Sequence, residues 1–204
     1  MEDSTGSVII SNEQFEELLG RIGNSNANQS VKVNPGALGL GAFALTTFIL
    51  SIFHAGEYFI NIKYEPVVLP VALFYGGLAQ FAAGMWEFQT NNTFGATAFT
   101  SYGAFWMSFA AYVYLIVPTL ISTGNVNEAT GLFLLSWLIF TLYMTVAAFR
   151  TSRVLFILFV VLSITFLLLV IGNLTGNKIV VNVEIAHCLN GYSSFNISSH
   201  EIVF

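Results

Sequence analysis

The sequence predicts an all-α fold, a multi-pass bundle of transmembrane helices. Three observations carry that prediction. Hydrophobic residues make up 55% and charged residues 8% of the 204, with a mean hydropathy of +0.75. A water-soluble domain carries about 25% charged residues, so lipid is the natural solvent for this surface. Five long apolar runs follow one another, each close to the roughly 20 residues a helix needs to cross a bilayer. No Asp, Glu, Lys or Arg falls inside any of them.

Residues 1–33 are polar and rich in Ser, Asn and Glu. They read as a largely disordered tail. Within it Asn12 to Leu19 is expected to make one or two helical turns, with Ser11 as N-cap and Phe15, Leu18 and Leu19 on one face. The start of the chain is acidic and lacks the basic-then-apolar order of a cleavable signal. The first apolar run is therefore expected to act as an uncleaved anchor.

The membrane domain is expected over residues 34–176. Its runs are Ala37–Phe53, Val67–Trp86, Phe99–Ile121, Leu132–Phe149 and Val154–Ile171. Lipid offers no partner for backbone groups, so each run must bond internally as a helix. Arg21 and Lys32 precede the first run, and Arg150 and Arg153 fill the turn between the fourth and fifth. Only Lys63 and Lys178 fall on the other side, which predicts a cytoplasmic N-terminus. From Asn177 onward Asn182, Glu184, His187 and Asn190 interrupt the apolar residues. Residues 177–204 read as a polar tail rather than a sixth span.

Composition excludes several function classes. A net charge of −5 with six Lys and Arg argues against nucleic acid as a partner. The single cysteine, Cys188, forms no intrachain disulfide and no cysteine-based metal cluster. The histidines His54, His187 and His200 show no metal-ligand spacing within the apolar region. A hydrogen bond at the membrane interface is the expected role of His54, close to Glu57. No phosphate-binding glycine loop and no G-x-S-x-G elbow occurs. The sequence predicts neither an enzyme nor a bound cofactor. Of the Asn-x-Ser/Thr sequons at Asn28, Asn91, Asn173 and Asn196, the first two face the cytoplasm in this topology and read as chance matches.

The polar residues inside the apolar runs point to passage. Pro35 suits a first helical turn, and Asn34 can cap its amides. The positive end of that helix attracts small anions. Thr46, Thr47 and Ser51 stud the first run. Tyr75 and Gln80 lie in the second, and Thr97, Thr100, Ser101 and Tyr102 crowd the start of the third. A single Ser or Thr ordinarily bonds a carbonyl of its own helix. A cluster of hydroxyls with an amide nearby reads as a neutral hydrogen-bonding track facing the bundle interior. With no Lys or Arg in any span, an anion would be held weakly, which suits conduction better than capture.

Asn34-Pro35-Gly36-Ala37-Leu38-Gly39-Leu40 resembles the N-P-A-P-L-G-L signature of the acetate uptake transporter family. Phe74 to Trp106 resembles that family's YGG-x-AQ, AG-x-x-E and NTFG-x-TAFTSYG-x-FW motifs. Arg153-Val154-Leu155 and Gly172-Asn173 resemble its later markers. The resemblance covers residues 34 to about 177. It implies a six-helix protein, assembled as a homo-oligomer (a hexamer), that moves acetate and in some relatives succinate. The sequence names no particular membrane, and the plasma membrane is the default expectation. The resemblance also implies a hydrophobic constriction, whose Phe, Tyr and Leu fall by motif position on Phe43, Tyr102 and Leu162. Asn34, Thr46, Thr47, Tyr75, Gln80, Thr100 and Ser101 are then the expected approach and polar lining. Ala37 replaces the second Pro of the signature, and the sixth apolar helix of relatives is not legible after Asn177. Two other readings stay open: a transporter-like sensor or scaffold that does not conduct, and ammonium-linked transport.

Overall fold

The computed structural model describes residues 10–28, 34–54 and 61–176. The chain divides into two compact units, residues 1–33 and 34–204. In the first unit a helix runs from Asn12 to Asn28, well beyond the one or two turns expected. Its start is fixed reciprocally. The Gln14 amide donates to Ser11 Oγ at 3.3 Å, and the Ser11 amide donates to Gln14 Oε1 at 3.1 Å, which makes a capping box. A Glu17–Arg21 ion pair one turn apart extends the helix. Phe15, Leu18 and Leu19 are exposed.

The second unit holds five helices long and apolar enough to cross a membrane, among the described residues. The spans are Gly36–Phe53, Lys63–Gln89, Thr93–Ile121, Val126–Ala148 and Arg153–Thr175. All five expected spans are present, and several begin or end in polar residues that the apolar runs left out. Asn92, for example, starts the third by accepting from the Gly95 amide at 3.0 Å. The fifth stops at Gly176, whose φ of 66° closes the C-terminal turn.

Two spans are not uniform α-helix as expected. The second opens with a 3-10 turn at Ile62–Val67 and widens to a π-helix over Ala72–Ala79. The third widens over Tyr112–Ile116, just before Pro118. Proline has no amide proton, and its ring crowds the carbonyl four residues back. A wider turn relieves that clash.

Small residues set which spans touch. The second and third spans pack closely, as do the fourth and fifth, and the first lies against the second. A Cβ on Gly84 would lie 2.5 Å from the Thr100 amide nitrogen, and one on Gly103 would lie 2.7 Å from that of Phe81. Only hydrogen fits there, so the backbones of spans two and three meet. Fewer contacts join the third span to the fourth. Spans one to three therefore form one group and spans four and five a hairpin facing it, with aromatic residues between them.

Candidate functional site

Two cavities lie in that seam, one toward each end of the bundle. The near cavity, at the end carrying Asn34, has a volume of about 110 Å³. The start of the first span borders it, where Asn34 Oδ1 accepts from the Gly36 amide at 3.0 Å. The start of the third span borders it through Asn92. Two helix N-termini thus direct their positive ends toward this space. Glu87 lies between them, only 2% exposed. Its Oε2 accepts from Asn92 Nδ2 at 2.9 Å and from Thr90 Oγ1 at 3.1 Å. Those bonds fix the turn between spans two and three and aim the Asn92 carbonyl at the Gly95 amide. Deeper in, Gln80 is buried and its Oε1 has no hydrogen-bond partner.

The far cavity is larger, about 400 Å³, and mostly aromatic. Thr47 and Trp106 line it, and Thr47 Oγ1 and Trp106 Nε1 both lack partners. Tyr112 and Thr130 join across its wall at 2.8 Å. Glu65 and Asn173 also line it. No Lys, Arg or His is found among the residues lining either cavity.

Phe43 and Leu162 line both cavities, so their side chains form the partition between the two. Tyr102 lines the near one. The Phe43 and Tyr102 rings meet edge to face with centroids 5.6 Å apart, and Phe43 meets Trp106 at 6.4 Å. Phe140, Phe159 and Trp137 also pack on Tyr102, at 5.5, 6.0 and 6.5 Å. The Tyr102 hydroxyl lies 2.9 Å from Thr141 Oγ1.

The residues expected from sequence fall into two groups. Asn34, Phe43, Gln80, Tyr102 and Leu162 line the near cavity, and Phe43, Thr47 and Leu162 line the far one. Thr46, Tyr75, Thr100 and Ser101 line neither of these two cavities. For two of them the reason is local. Thr46 Oγ1 donates to the Ala42 carbonyl at 2.8 Å and Thr100 Oγ1 to the Ala96 carbonyl at 2.6 Å. Each hydroxyl is spent on its own helix.

Sequence reasoning passed over Glu87, Asn92, Trp106 and Thr141 as site residues. Glu87, Asn92 and Trp106 lay in the motif block itself, at positions that read as ordinary termini or packing. The expectations for His187, His200, Cys188, Asn196 and the 177–204 tail fall outside the described residues, as does the His54 side chain. Among the described residues no group of three His, Cys, Asp or Glu is placed to hold a metal ion.

Comparison with known proteins gives the same ancestry as the motifs. The sequence pattern of the GPR1/FUN34/yaaH family matches residues 21–198, further in both directions than the motifs do. Accumulation of dyads protein 2 of Saccharomyces cerevisiae is 47% identical over 145 residues, 69% of this chain and 50% of that protein. Acetate permease A of Emericella nidulans is 44% identical over 147 residues, 68% of this chain and 49% of that protein. The chain thus spans about half the length of these two fungal relatives. A solved structure of the bacterial acetate channel SatP superposes with a TM-score of 0.72 at 33% identity, covering 84% of this chain and 92% of that one.

Proposed function

The chain belongs to the GPR1/FUN34/yaaH family, and on that premise we propose that it is a membrane transporter or channel for acetate or a similar small monocarboxylate. The observation that carries the reading is the partition. Phe43 and Leu162 are shared by two cavities that open toward opposite ends of the bundle. In this reading Phe43, Tyr102 and Leu162 form the constriction. Asn34 and the two helix N-termini draw the carboxylate into the near cavity, and Gln80 and Thr47 supply neutral hydrogen bonds along the way. The want of any lining Lys or Arg keeps binding weak enough for release. The reading takes further support from relatives named as an acetate permease and an acetate channel. We propose no catalytic activity.

The same reading has the N-terminus in the cytoplasm, because Arg150 and Arg153 turn at the end that carries Asn34. A plasma-membrane location and assembly into a homo-oligomer, a hexamer as in the family, complete it. Large side chains such as Leu45, Phe48, Phe74 and Met85 face outward, available to lipid or to another copy.

The test is uptake of labelled acetate into proteoliposomes holding the purified chain, beside empty vesicles and the Leu162→Ala variant. Uptake above empty vesicles that changes in the variant supports the reading. Uptake of labelled methylammonium without acetate would replace it with ammonium-linked transport. Uptake of neither would favour a sensor or scaffold.

A further inference from the structure

We propose that Glu87 is a substrate-contacting residue of the near cavity and acts there as a neutral acid, the O–H on its Oε1 donating to the carboxylate that enters. The proposal rests on the transport reading above and names the group that meets the substrate on the Asn34 side of the partition.

The two oxygens of Glu87 are unlike. Oε2 takes both side-chain bonds, from Asn92 and Thr90. Among the described residues no donor reaches Oε1. The buried polar side-chain atoms with neither a partner nor any surface belong to Thr47, Gln80 and Trp106. Glu87 Oε1 is not one of them, so it opens into the cavity that Glu87 lines. The side chain is otherwise sealed, at 2% exposure.

Charge decides the form in which Glu87 meets an anion. A helix N-terminus is equivalent to about half a positive charge, so the starts of the first and third spans bring about one between them. An ionised Glu87 would cancel that attraction. No neighbour restores it. The first span packs on the second and has no Asp, Glu, Lys or Arg. The third span brings Tyr102 to the cavity as its titratable side chain, and that hydroxyl is held by Thr141. Arg150 and Arg153 flank Thr151 at the start of the fifth span, but both are exposed. The ion pair found among the described residues is that of Glu17 and Arg21, so neither arginine is paired with Glu87.

With a proton in place the effect reverses. A neutral carboxyl group offers one O–H and still accepts at its carbonyl oxygen. Oε2, as that carbonyl, keeps the bonds from Asn92 and Thr90. The O–H on Oε1 is left to meet an anion in a short, charge-assisted bond. Two carboxyl groups confined together hold one proton between them in this manner. The cavity of about 110 Å³ has room for several waters or one small carboxylate. The proton comes from water at the mouth and stays on Glu87 when the anion moves on. Only the hydrogen bond forms and breaks.

The test is infrared difference spectroscopy of the purified full chain on adding acetate, isotope-labelled so that its bands stand clear of the protein's. Glu87→Gln and Glu87→Asp are run beside it, with thermal unfolding of each as a control. Binding should strengthen and shift a protonated-carboxyl band in the parent, and Glu87→Gln should lack that response. Acetate affinity by calorimetry is the second readout. Above the pH at which Glu87 loses its proton, each pH unit should weaken acetate about tenfold in the parent. Glu87→Gln has no proton to lose and still offers an N–H, so its affinity should show no such slope. Glu87→Asp keeps the acid on a shorter arm and should keep the slope with weaker binding. A Glu87 that only braces the turn would leave the same slope in all three chains, and that result overturns the proposal. So does a parent that binds no acetate, or one that binds it with the carboxyl band unmoved.

Labelled acetate uptake by the same preparations separates the two readings. Uptake with no carboxyl response fails the Glu87 proposal alone. A carboxyl response with the expected slope but without uptake fails the transport reading alone.

Discussion

The phenolic oxygen of Tyr102 lies 2.9 Å from the hydroxyl of Thr141, and the proton between them is the tyrosine's. Thr141 already spends its own proton on the Trp137 carbonyl at 2.7 Å, so its oxygen can only accept. The bond crosses from the third span to the fourth and ties the partition ring to the facing hairpin. Thr141→Val removes the acceptor at nearly constant shape and leaves a buried phenol unpaired. It should cost about 1–3 kcal/mol. Adding Tyr102→Phe should recover most of that loss, because the orphan donor is gone. Thermal unfolding of the two single variants and the double variant measures the coupling. Additive losses would mean that the two hydroxyls do not act together.

The close contact of spans two and three leaves no room at Gly84. A Cβ there would sit 2.5 Å from the Thr100 amide nitrogen and 2.7 Å from Thr100 Cγ2. The nearest atom is backbone, which cannot swing aside. Gly84→Ala should force the spans apart, at a cost of about 3 kcal/mol or more. Gly20, in the first unit, is the control. Nothing lies within 4 Å of its added Cβ, and alanine should favour that helix by about 1 kcal/mol. Unfolding temperature and elution volume in detergent report both. A Gly84→Ala chain as stable as its parent would contradict the packing.

Glu87 organises the near cavity through acceptance, since its Oε2 takes bonds from both Thr90 and Asn92. Asn92 in turn caps the third span. Glu87→Ala should orphan the Asn92 side-chain donor, while Thr90 Oγ1 keeps the Glu87 backbone carbonyl at 3.0 Å, and should cost about 1–3 kcal/mol. Glu87→Gln keeps one carbonyl oxygen to accept and should cost less. Hydrogen exchange at the amides of 93–96 would locate the damage. Faster exchange there in Glu87→Ala, with little change elsewhere, is the expected pattern. Protection identical to the parent would separate Glu87 from the cap.

Much of the bundle could be read before its geometry was known, because hydrocarbon imposes so few solutions. A run such as Val154–Ile171, uncharged and apolar on every face, must be a helix in lipid. The same uniformity hid what lies inside it. A helix apolar all round has no phase in its sequence, so nothing marked which face of the fourth span carries Thr141 inward. The π turns were hidden for a similar reason, since widening one turn changes no composition. Span ends were missed because caps are polar. Asn92 looked like a connector and is the first bonded residue of the third span. Of the hydroxyls, Thr46 and Thr47 are adjacent in sequence and differ only in direction. One bonds Ala42 and the other is buried in the wall of the far cavity without a partner, which only the packing of neighbouring helices decides. The polar character of the 12–28 segment masked its helix, although Ser11 and Gln14 already held the capping pattern.

The partition gives the last prediction. Phe43 touches Tyr102 and Trp106 and, with Leu162, lines both cavities, so its ring is the larger of the two side chains that separate them. Phe43→Ala should cost about 3–5 kcal/mol through the cavity it leaves. If the chain survives that loss, the two spaces merge and the limit on solute size rises. Flux of labelled propionate and butyrate relative to acetate should increase in Phe43→Ala proteoliposomes, and Phe43→Leu should fall between the variant and the parent. Size-graded flux is the informative readout, because a general weakening of the bundle would leak all solutes alike. The same relative fluxes in all three chains would remove Phe43 from the constriction and shift the barrier to another part of the seam.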